Sequence, residues 1–217
     1  MTEPPSLRIG YVPGVVVDKW ARVWAERYPG SPLEWIAVPQ ARQRAVFDAG
    51  EVDMCFVRVP IDREGLHAIP LYQELAVVVV PADHPVALFD EVSVADLADE
   101  PMHDTADLDT IGATVQVVAA AGGAAMMPMS LARLHHRRDL VYRPVTGAAS
   151  TGISLAWPID HPDDRIEDLI GVVRGRTANS SRGRTANSSR GGTANSSRGR
   201  ADRSHGASRR ARKRRGR

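Results

Sequence analysis

Residues 71–87 read LYQELAVVVVPADHPVA, and this stretch decides how the rest of the chain is interpreted. Leu75 to Val80 form an apolar, largely β-branched run whose length is typical of a buried strand. Pro81 and Pro85 bound a polar segment, which predicts a loop directly after that strand. The sequence on either side shows which other elements accompany it.

Before this strand, the sequence predicts strands and helices in alternation. The first two strand-forming runs are each followed by a helical pattern that stops at a glycine-containing turn. Alternation of this kind favours βαβ units and a mostly parallel sheet. We predict strands over Leu7–Val12, Leu33–Val38 and Val52–Val57, with a helix capped by Asp18 and running to Arg27 and a second over Gln40–Ala49.

After the central strand, the predicted elements are shorter. Ser93 begins the sequence SVAD, which resembles a capping box and predicts a short helix. Pro101 to Asp109 is polar and irregular. Beyond it we predict helices over Thr114–Ala121, Ser130–His136 and Ile166–Val173, and strands over Ala124–Met127, Leu140–Tyr142 and Ile153–Trp157.

Charge is distributed unevenly along the chain. The 217 residues contain 28 Lys and Arg against 26 Asp and Glu, but residues 1–173 carry a net −12 and residues 174–217 a net +14. The last 44 residues contain no Val, Ile, Leu, Met, Phe, Tyr or Trp. Such a segment cannot bury enough apolar surface to offset the entropy lost on ordering. We therefore predict a folded domain over residues 1–173 and a disordered tail over residues 174–217.

Several classes of protein are excluded by the sequence. Cys55 is the only cysteine, which leaves neither an intrachain disulfide nor a cysteine zinc cluster. No secretory signal and no apolar stretch of membrane-spanning length is found. G-x-S-x-G, H-E-x-x-H, P-loop and G-x-G-x-x-G motifs do not occur. We therefore expect a cytoplasmic protein, which includes association with the nucleoid. We expect that it binds no cofactor, metal or membrane and that it is not an enzyme.

The tail is a repeat of eight residues. RGRTANSS occupies residues 174–181 and 182–189, and RGGTANSS follows at 190–197. Its Arg-Gly-Arg units resemble AT-hooks, but the prolines of that motif are missing. Two alternatives to a minor-groove motif are a basic tail that binds any polyanion and an extension with no selected role. We expect contact with DNA or RNA through Arg174, Arg176, Arg182, Arg184, Arg198, Arg200, Arg209, Arg210, Arg212, Lys213, Arg214 and Arg215.

The folded part resembles the effector-binding domain of LysR-type transcriptional regulators. Five segments match in the family's order and together cover about residues 6–173. Residues 49–60 resemble its glycine-hydrophobic-aspartate turn, and residues 71–87 its crossing strand and His-Pro loop. The matching segments read LRIGYV, AGEVDMCFVRVP, LYQELAVVVVPADHPVA, VSVADLADEP and VVAAAGGAAMMPMSLARL.

The resemblance implies an α/β fold of two lobes, like that of type 2 periplasmic binding proteins. Lobe one would comprise residues 6–80 and 150–173, with a crossover near Val80, and lobe two residues 83–147. Lobe two is short, since the family usually has one more helix and strand between Pro101 and Ala113. The first strand begins at Leu7, so we expect no winged helix-turn-helix before it.

The same resemblance implies a ligand between the lobes, held by loops at strand ends. Helix N-termini there suit anions. The alternative is that these are ordinary βα loops and that Arg58 pairs with an acidic neighbour. The candidate ligand-binding residues are Pro13, Gly14, Val15, Gln40, Arg58, Gly123 and Met126.

We therefore predict a stand-alone LysR-like effector-binding protein that binds a small organic anion and acts in transcriptional regulation. Its expected partners are the small-molecule effector, nucleic acid through the tail, and a second protein. That protein is another copy, giving a homodimer, or a complete LysR-type regulator, giving a heterodimer. The alternative function is a nucleic-acid-associated protein that works through its tail, with a vestigial ligand-binding domain.

The charge division leads to a test of the tail. Double-stranded DNA carries about one charge per 1.7 Å, so a basic tail should bind it with little regard to sequence. If about six arginines engage phosphates, log K falls against log salt with a slope of roughly −5. Equal DNA binding by the full chain and by a chain ending at Val173, measured over several salt concentrations, would refute the assignment to the tail.

Overall fold

The computed structural model describes residues 6–176, and two β-sheets organise them. The strands are β1 Leu7–Tyr11, β2 Leu33–Ala37, β3 Met54–Val59, β4 Leu66–Glu74, β5 Ala76–Pro81, β6 Val92–Ser93, β7 Ala125–Pro128, β8 Leu140–Thr146 and β9 Thr151–Pro158. The helices are α1 Asp18–Arg27, α2 Ala45–Asp48, α3 Ile111–Ala121, α4 Met129–Leu134 and α5 Arg165–Val173. The first sheet has the order β2-β1-β3-β9-β4 and the second β6-β8-β5-β7.

The chain changes sheets twice. β4 ends in the first sheet at Glu74 and β5 begins in the second at Ala76. The return lies between Thr146, the end of β8, and Thr151, the start of β9. The predicted α/β fold of two lobes is thereby confirmed for residues 6–176. The change of sheet falls at Leu75, not near Val80, so β5 is part of lobe two.

The prediction of a mostly parallel sheet holds for β1, β2 and β3, and it is wrong for β9 and for most of the second sheet. β1 runs parallel to β2 and β3, but β9 is antiparallel to both of its neighbours, β3 and β4. In the second sheet β5 is antiparallel to β7 and β8, and β6 is parallel to β8. β9 re-enters lobe one from lobe two, so it does not arrive through a βα crossover of the kind that makes neighbours parallel.

The tryptophans of α1 recur at helical spacing in the sequence, and they pack on the first sheet as the buried face of this helix. Trp20 and Trp24 are buried, and the Trp20 ring stacks on Phe56 of β3 with centroids 4.7 Å apart. The predicted cap is wrong, because α1 begins at Asp18 and Val17 is its N-cap residue. The Val17 carbonyl already accepts hydrogen bonds from the first turn, so Asp18 lies inside that turn.

The predicted helix over Gln40–Ala49 divides into a 3₁₀ turn, Gln40–Arg42, and the short α2. The Gln43 amide lies at the break and is buried. It donates to the Arg58 carbonyl at 2.9 Å and accepts from the Arg58 N–H at 2.8 Å. These bonds satisfy the backbone of β3 and hold the break against the sheet.

Lobe two has apolar side chains on both faces of its sheet. α3 and α4 cover one face, where Ile111, Val118 and Leu131 are fully buried. Val86 and Leu97 pack on the other face. The predicted capping box forms at a 3₁₀ turn, where Ser93 and Asp96 exchange hydrogen bonds. No helix within the described residues is long and apolar enough to span a membrane.

The aromatic cluster gives a prediction for stability. Phe56→Ala should lower the free energy of unfolding by about 3–5 kcal/mol, because a fully buried ring leaves a cavity between Trp20 and Trp35. Ile159→Ala is the control, since Ile159 is exposed and should cost about 0.5 kcal/mol or less. Urea denaturation of the full chain measures both. Similar losses for the two variants would contradict this packing.

Candidate functional site

A cavity of about 890 Å³ lies where the two lobes meet. Its walls come from the loop after β1, the start of α1, the end of β4 and the first turns of α4. Aromatic and aliphatic side chains such as Trp20, Tyr72 and Leu75 provide most of the surface. The volume and the apolar lining are typical of a site for a small organic molecule.

Arg58 lies against this cavity and is 2% exposed. It belongs to β3, not to the predicted loop after it, because β3 continues to Val59 opposite β9. Its three side-chain nitrogens all have acceptors. Nε donates to Glu74 Oε2 at 2.9 Å, Nη1 to Gln40 Oε1 at 2.9 Å, and Nη2 to the Pro13 carbonyl at 3.0 Å and Ser130 Oγ at 3.2 Å.

Glu74 is the acidic partner of Arg58, as the alternative interpretation of Arg58 anticipated. It is the last residue of β4, and its side chain is 4% exposed. Oε2 accepts from Arg58 and also from Thr151 Oγ1 at 3.2 Å. Oε1 is buried and has no hydrogen-bond partner within the described residues. Half of this carboxylate is therefore satisfied by the protein.

A carboxylate from lobe two occupies the amides at Gln40, one of the predicted ligand residues. Asp109 Oδ1 accepts from the Gln40 N–H at 2.6 Å, and Oδ2 accepts from the Ala41 N–H at 2.9 Å. Both amides belong to the start of the 3₁₀ turn. The protein itself therefore supplies the anion at this turn.

Cationic side chains stand at the open edge of the cavity. Lys19 and Arg133 line it, and both are exposed. Lys19 Nζ lies 4.6 Å from the Trp20 ring centroid, and Arg133 Nε donates to the Tyr142 hydroxyl at 3.3 Å. Burial, with the Glu74 charge adding to it, raises the pKa of Tyr72 to about 12. The Tyr72 hydroxyl is therefore neutral at physiological pH.

Five of the predicted ligand residues are at or beside the cavity. Pro13, Gly14 and Val15 line it, and Gln40 and Arg58 form the hydrogen-bonded layer next to it. The loop passes very close to lobe two at Gly14, which has φ +89°, and a Cβ there would lie 2.4 Å from Ser130 Oγ. Glycine is therefore required at that position by both conformation and space.

Gly123 and Met126 do not line the cavity. Gly123 packs against the Pro101 carbonyl and the His103 ring, inside lobe two. Met126 pairs with Val78 in the sheet and packs in the core of lobe two. Met126 lies in β7 and Gly123 just before that strand, so both residues are away from the cavity wall.

Of the predicted nucleic-acid residues, only two are described. Arg174 is the C-cap residue of α5, and the Arg176 carbonyl accepts from Arg27 Nη1 at 2.6 Å. Their predicted role stays a prediction. The others lie outside the described residues: Arg182, Arg184, Arg198, Arg200, Arg209, Arg210, Arg212, Lys213, Arg214 and Arg215.

Sequence reasoning missed Glu74, Asp109 and Ser130. A signal for Glu74 was present, because only Leu75 separates it from the apolar strand β5, and Arg58 interrupts the apolar strand β3. Two opposite charges within or beside apolar runs predict a pair. Asp109 and Ser130 carry no such signal, since their partners are 69 and 72 residues away in the chain.

The buried pair gives a prediction for stability. Arg58→Ala should lower the free energy of unfolding by about 3–5 kcal/mol, because the Glu74 carboxylate is left buried without a counter-charge. Arg42→Ala is the matched control, since its pair with Glu51 is exposed and worth about 0–1 kcal/mol. Chemical denaturation compares the two, and equal losses would contradict the role given to Arg58.

Comparison with known proteins gives a consistent result. Residues 3–106 match the family model of the LysR substrate binding domain. The Hca operon transcriptional activator HcaR of Escherichia coli (strain K12) is 23% identical over 207 residues, which cover 82% of this chain and 70% of that protein. A probable hydrogen peroxide-inducible genes activator of Mycobacterium avium is 34% identical over 100 residues, 45% of this chain and 32% of the relative.

Solved structures show the same fold. A mutant OxyR regulatory domain from Pseudomonas aeruginosa superposes with a TM-score of 0.64 at 22% identity, covering 79% of this chain and 97% of that one. The BenM effector binding domain with its effector benzoate gives 0.65 at 21% identity, covering 78% and 90%. The matched sequence and the two-lobed fold agree: residues 3–106 match the LysR substrate binding domain, and the described residues share the fold of the OxyR and BenM domains.

Proposed function

We propose that this chain binds a small organic anion in the cavity between its lobes and acts through it in transcriptional control. The observation that carries the proposal is the composition of the cavity. Its apolar walls suit a carbon skeleton, and its two exposed cations, Lys19 and Arg133, suit an acidic group. The relatives named as transcriptional activators support the regulatory role.

The anion would be held by different residues from those first predicted. Arg58 has all its nitrogens engaged by protein acceptors, and Asp109 fills the amides of Gln40 and Ala41. Lys19 and Arg133 keep exposed charge on the cavity. We therefore assign recognition of the acidic group to these two side chains, with the carbon skeleton resting on Trp20.

The proposal extends to nucleic acid and to a partner protein. The net +14 of residues 174–217 supports contact with DNA or RNA that is independent of sequence. Pairing with a second copy or with a complete LysR-type regulator would link the ligand to transcription. The alternative function, a nucleic-acid-associated protein whose cavity is vestigial, rests on the same charge.

Thermal shift with a panel of small aromatic and aliphatic carboxylates tests the cavity in the full chain. A ligand at 100 times its Kd should stabilise the fold by about 2.7 kcal/mol. Lys19→Gln and Arg133→Gln should each weaken binding of a carboxylate about tenfold, because an exposed cation of the site is lost. Arg42→Gln removes an exposed cation that does not line the cavity and should leave affinity unchanged.

Two outcomes would contradict the proposal. The first is that no carboxylate of the panel stabilises the protein. The other is a carboxylate whose affinity is the same in the wild type, Lys19→Gln and Arg133→Gln, because its acidic group would then lie elsewhere. Loss of DNA binding on removal of the tail, with no ligand for the cavity, would favour the alternative function.

A further inference from the structure

We propose that the cavity selects ligands bearing a hydrogen-bond donor, a hydroxyl or a protonated amine, and that Glu74 is the residue that recognises it. The inference rests on the proposed function, since it assumes that the cavity holds a small organic molecule. The proposed function requires an acidic group and an apolar skeleton of the ligand, and this inference adds a hydrogen-bond donor. The requirement comes from the buried oxygen Oε1 of Glu74.

Glu74 combines three properties that together point to a ligand. It lines the cavity, its side chain is 4% exposed, and Oε1 has no hydrogen-bond partner within the described residues. A carboxylate oxygen withheld from water and left without a donor is costly. A ligand group that donates to Oε1 recovers that cost, whereas a ligand group that only accepts increases it.

The neighbouring donors of the protein are already committed. Arg58 Nε and Thr151 Oγ1 both donate to the other oxygen, Oε2. The remaining nitrogens of Arg58 donate to Gln40, Pro13 and Ser130. No donor among these can serve Oε1 without leaving another buried acceptor unsatisfied. The hydrogen bonds around Arg58 therefore leave Glu74 Oε1 without a donor.

The two polar regions of the cavity are of opposite kind. Lys19 and Arg133 are exposed and stand at its open edge, while Glu74 is buried. Apolar surface from Trp20 and Leu75 contributes to the wall of the same cavity. The ligand that we infer therefore carries both an acidic group for the two cations and a donor group for Glu74. Oε1 has no exposed surface, so side chains around it must move before a donor can reach it.

Three carboxylates of matched skeleton test this specificity by titration calorimetry on the full chain. 4-Hydroxyphenylacetate and 4-(aminomethyl)phenylacetate carry a donor, and 4-methylphenylacetate places a methyl group at the same position. We expect at least one donor-bearing acid to bind about tenfold more tightly than the methyl compound. The tighter of the two donor acids identifies the hydroxyl or the amine as the group recognised.

Variants then assign the preference to Glu74. Glu74→Gln places an amide beside the ligand donor and should reduce the preference to about twofold or less. Because this change also leaves Arg58 buried without a counter-charge, the double variant Arg58→Gln with Glu74→Gln provides a neutral pair with the same expected loss. Thr151→Val is the matched control, since its hydroxyl serves Oε2, and the preference should persist.

The outcomes separate this inference from the proposed function. Binding of all three acids with equal affinity would overturn the donor requirement and leave the proposed function in place. A donor preference that survives both glutamine variants would overturn the assignment to Glu74. Binding of none of the three acids, with a carboxylate panel that also fails to stabilise the protein, would contradict both proposals.

Discussion

A guanidinium buried where two lobes meet is the constraint on which the rest of this structure depends. The charge and the donors of Arg58 must be compensated where it lies, because a buried charge without partners is costly. Glu74 supplies the counter-charge, and acceptors come from Gln40, Pro13 and Ser130. These partners belong to four separate parts of the chain. Their positions fix the end of β4, the loop after β1 and the start of α4 relative to one another.

A second charged side chain, that of Asp109, also links the two lobes. Asp109 of lobe two accepts from two amides of lobe one, as a bound carboxylate would. Together with the bond from Arg58 to Ser130, it closes the region in which the sequence placed the ligand. The space that remains open is the adjoining cavity, whose polar lining includes Lys19, Arg133 and Glu74. In the proposed function, recognition therefore falls to side chains around Arg58 and not to Arg58 itself.

The sequence predicts most of the fold because its signals are local. β-branched runs locate β3 and β5, and the spacing of Trp20 and Trp24 locates the buried face of α1. The break within Gln40–Ala49 could not be predicted, since it depends on a side chain binding the backbone of a distant strand. For the site, the order of segments identified the loop at Pro13–Val15 and the importance of Arg58. The placement of Asp109 depends on how two lobes pack, which no short pattern of residues records.

Amide hydrogen exchange at Gln40 and Ala41 tests most directly whether the Asp109 carboxylate links the two lobes. In the wild type both amides donate to Asp109 and should be protected. A hydrogen bond to a charged acceptor is worth about 1.5–3 kcal/mol, so in Asp109→Ala both amides should exchange roughly ten to a hundred times faster. Asp104→Ala removes a carboxylate that binds only within its own turn and should leave both rates unchanged. Equal exchange rates at Gln40 and Ala41 in the wild type and in Asp109→Ala would contradict the account.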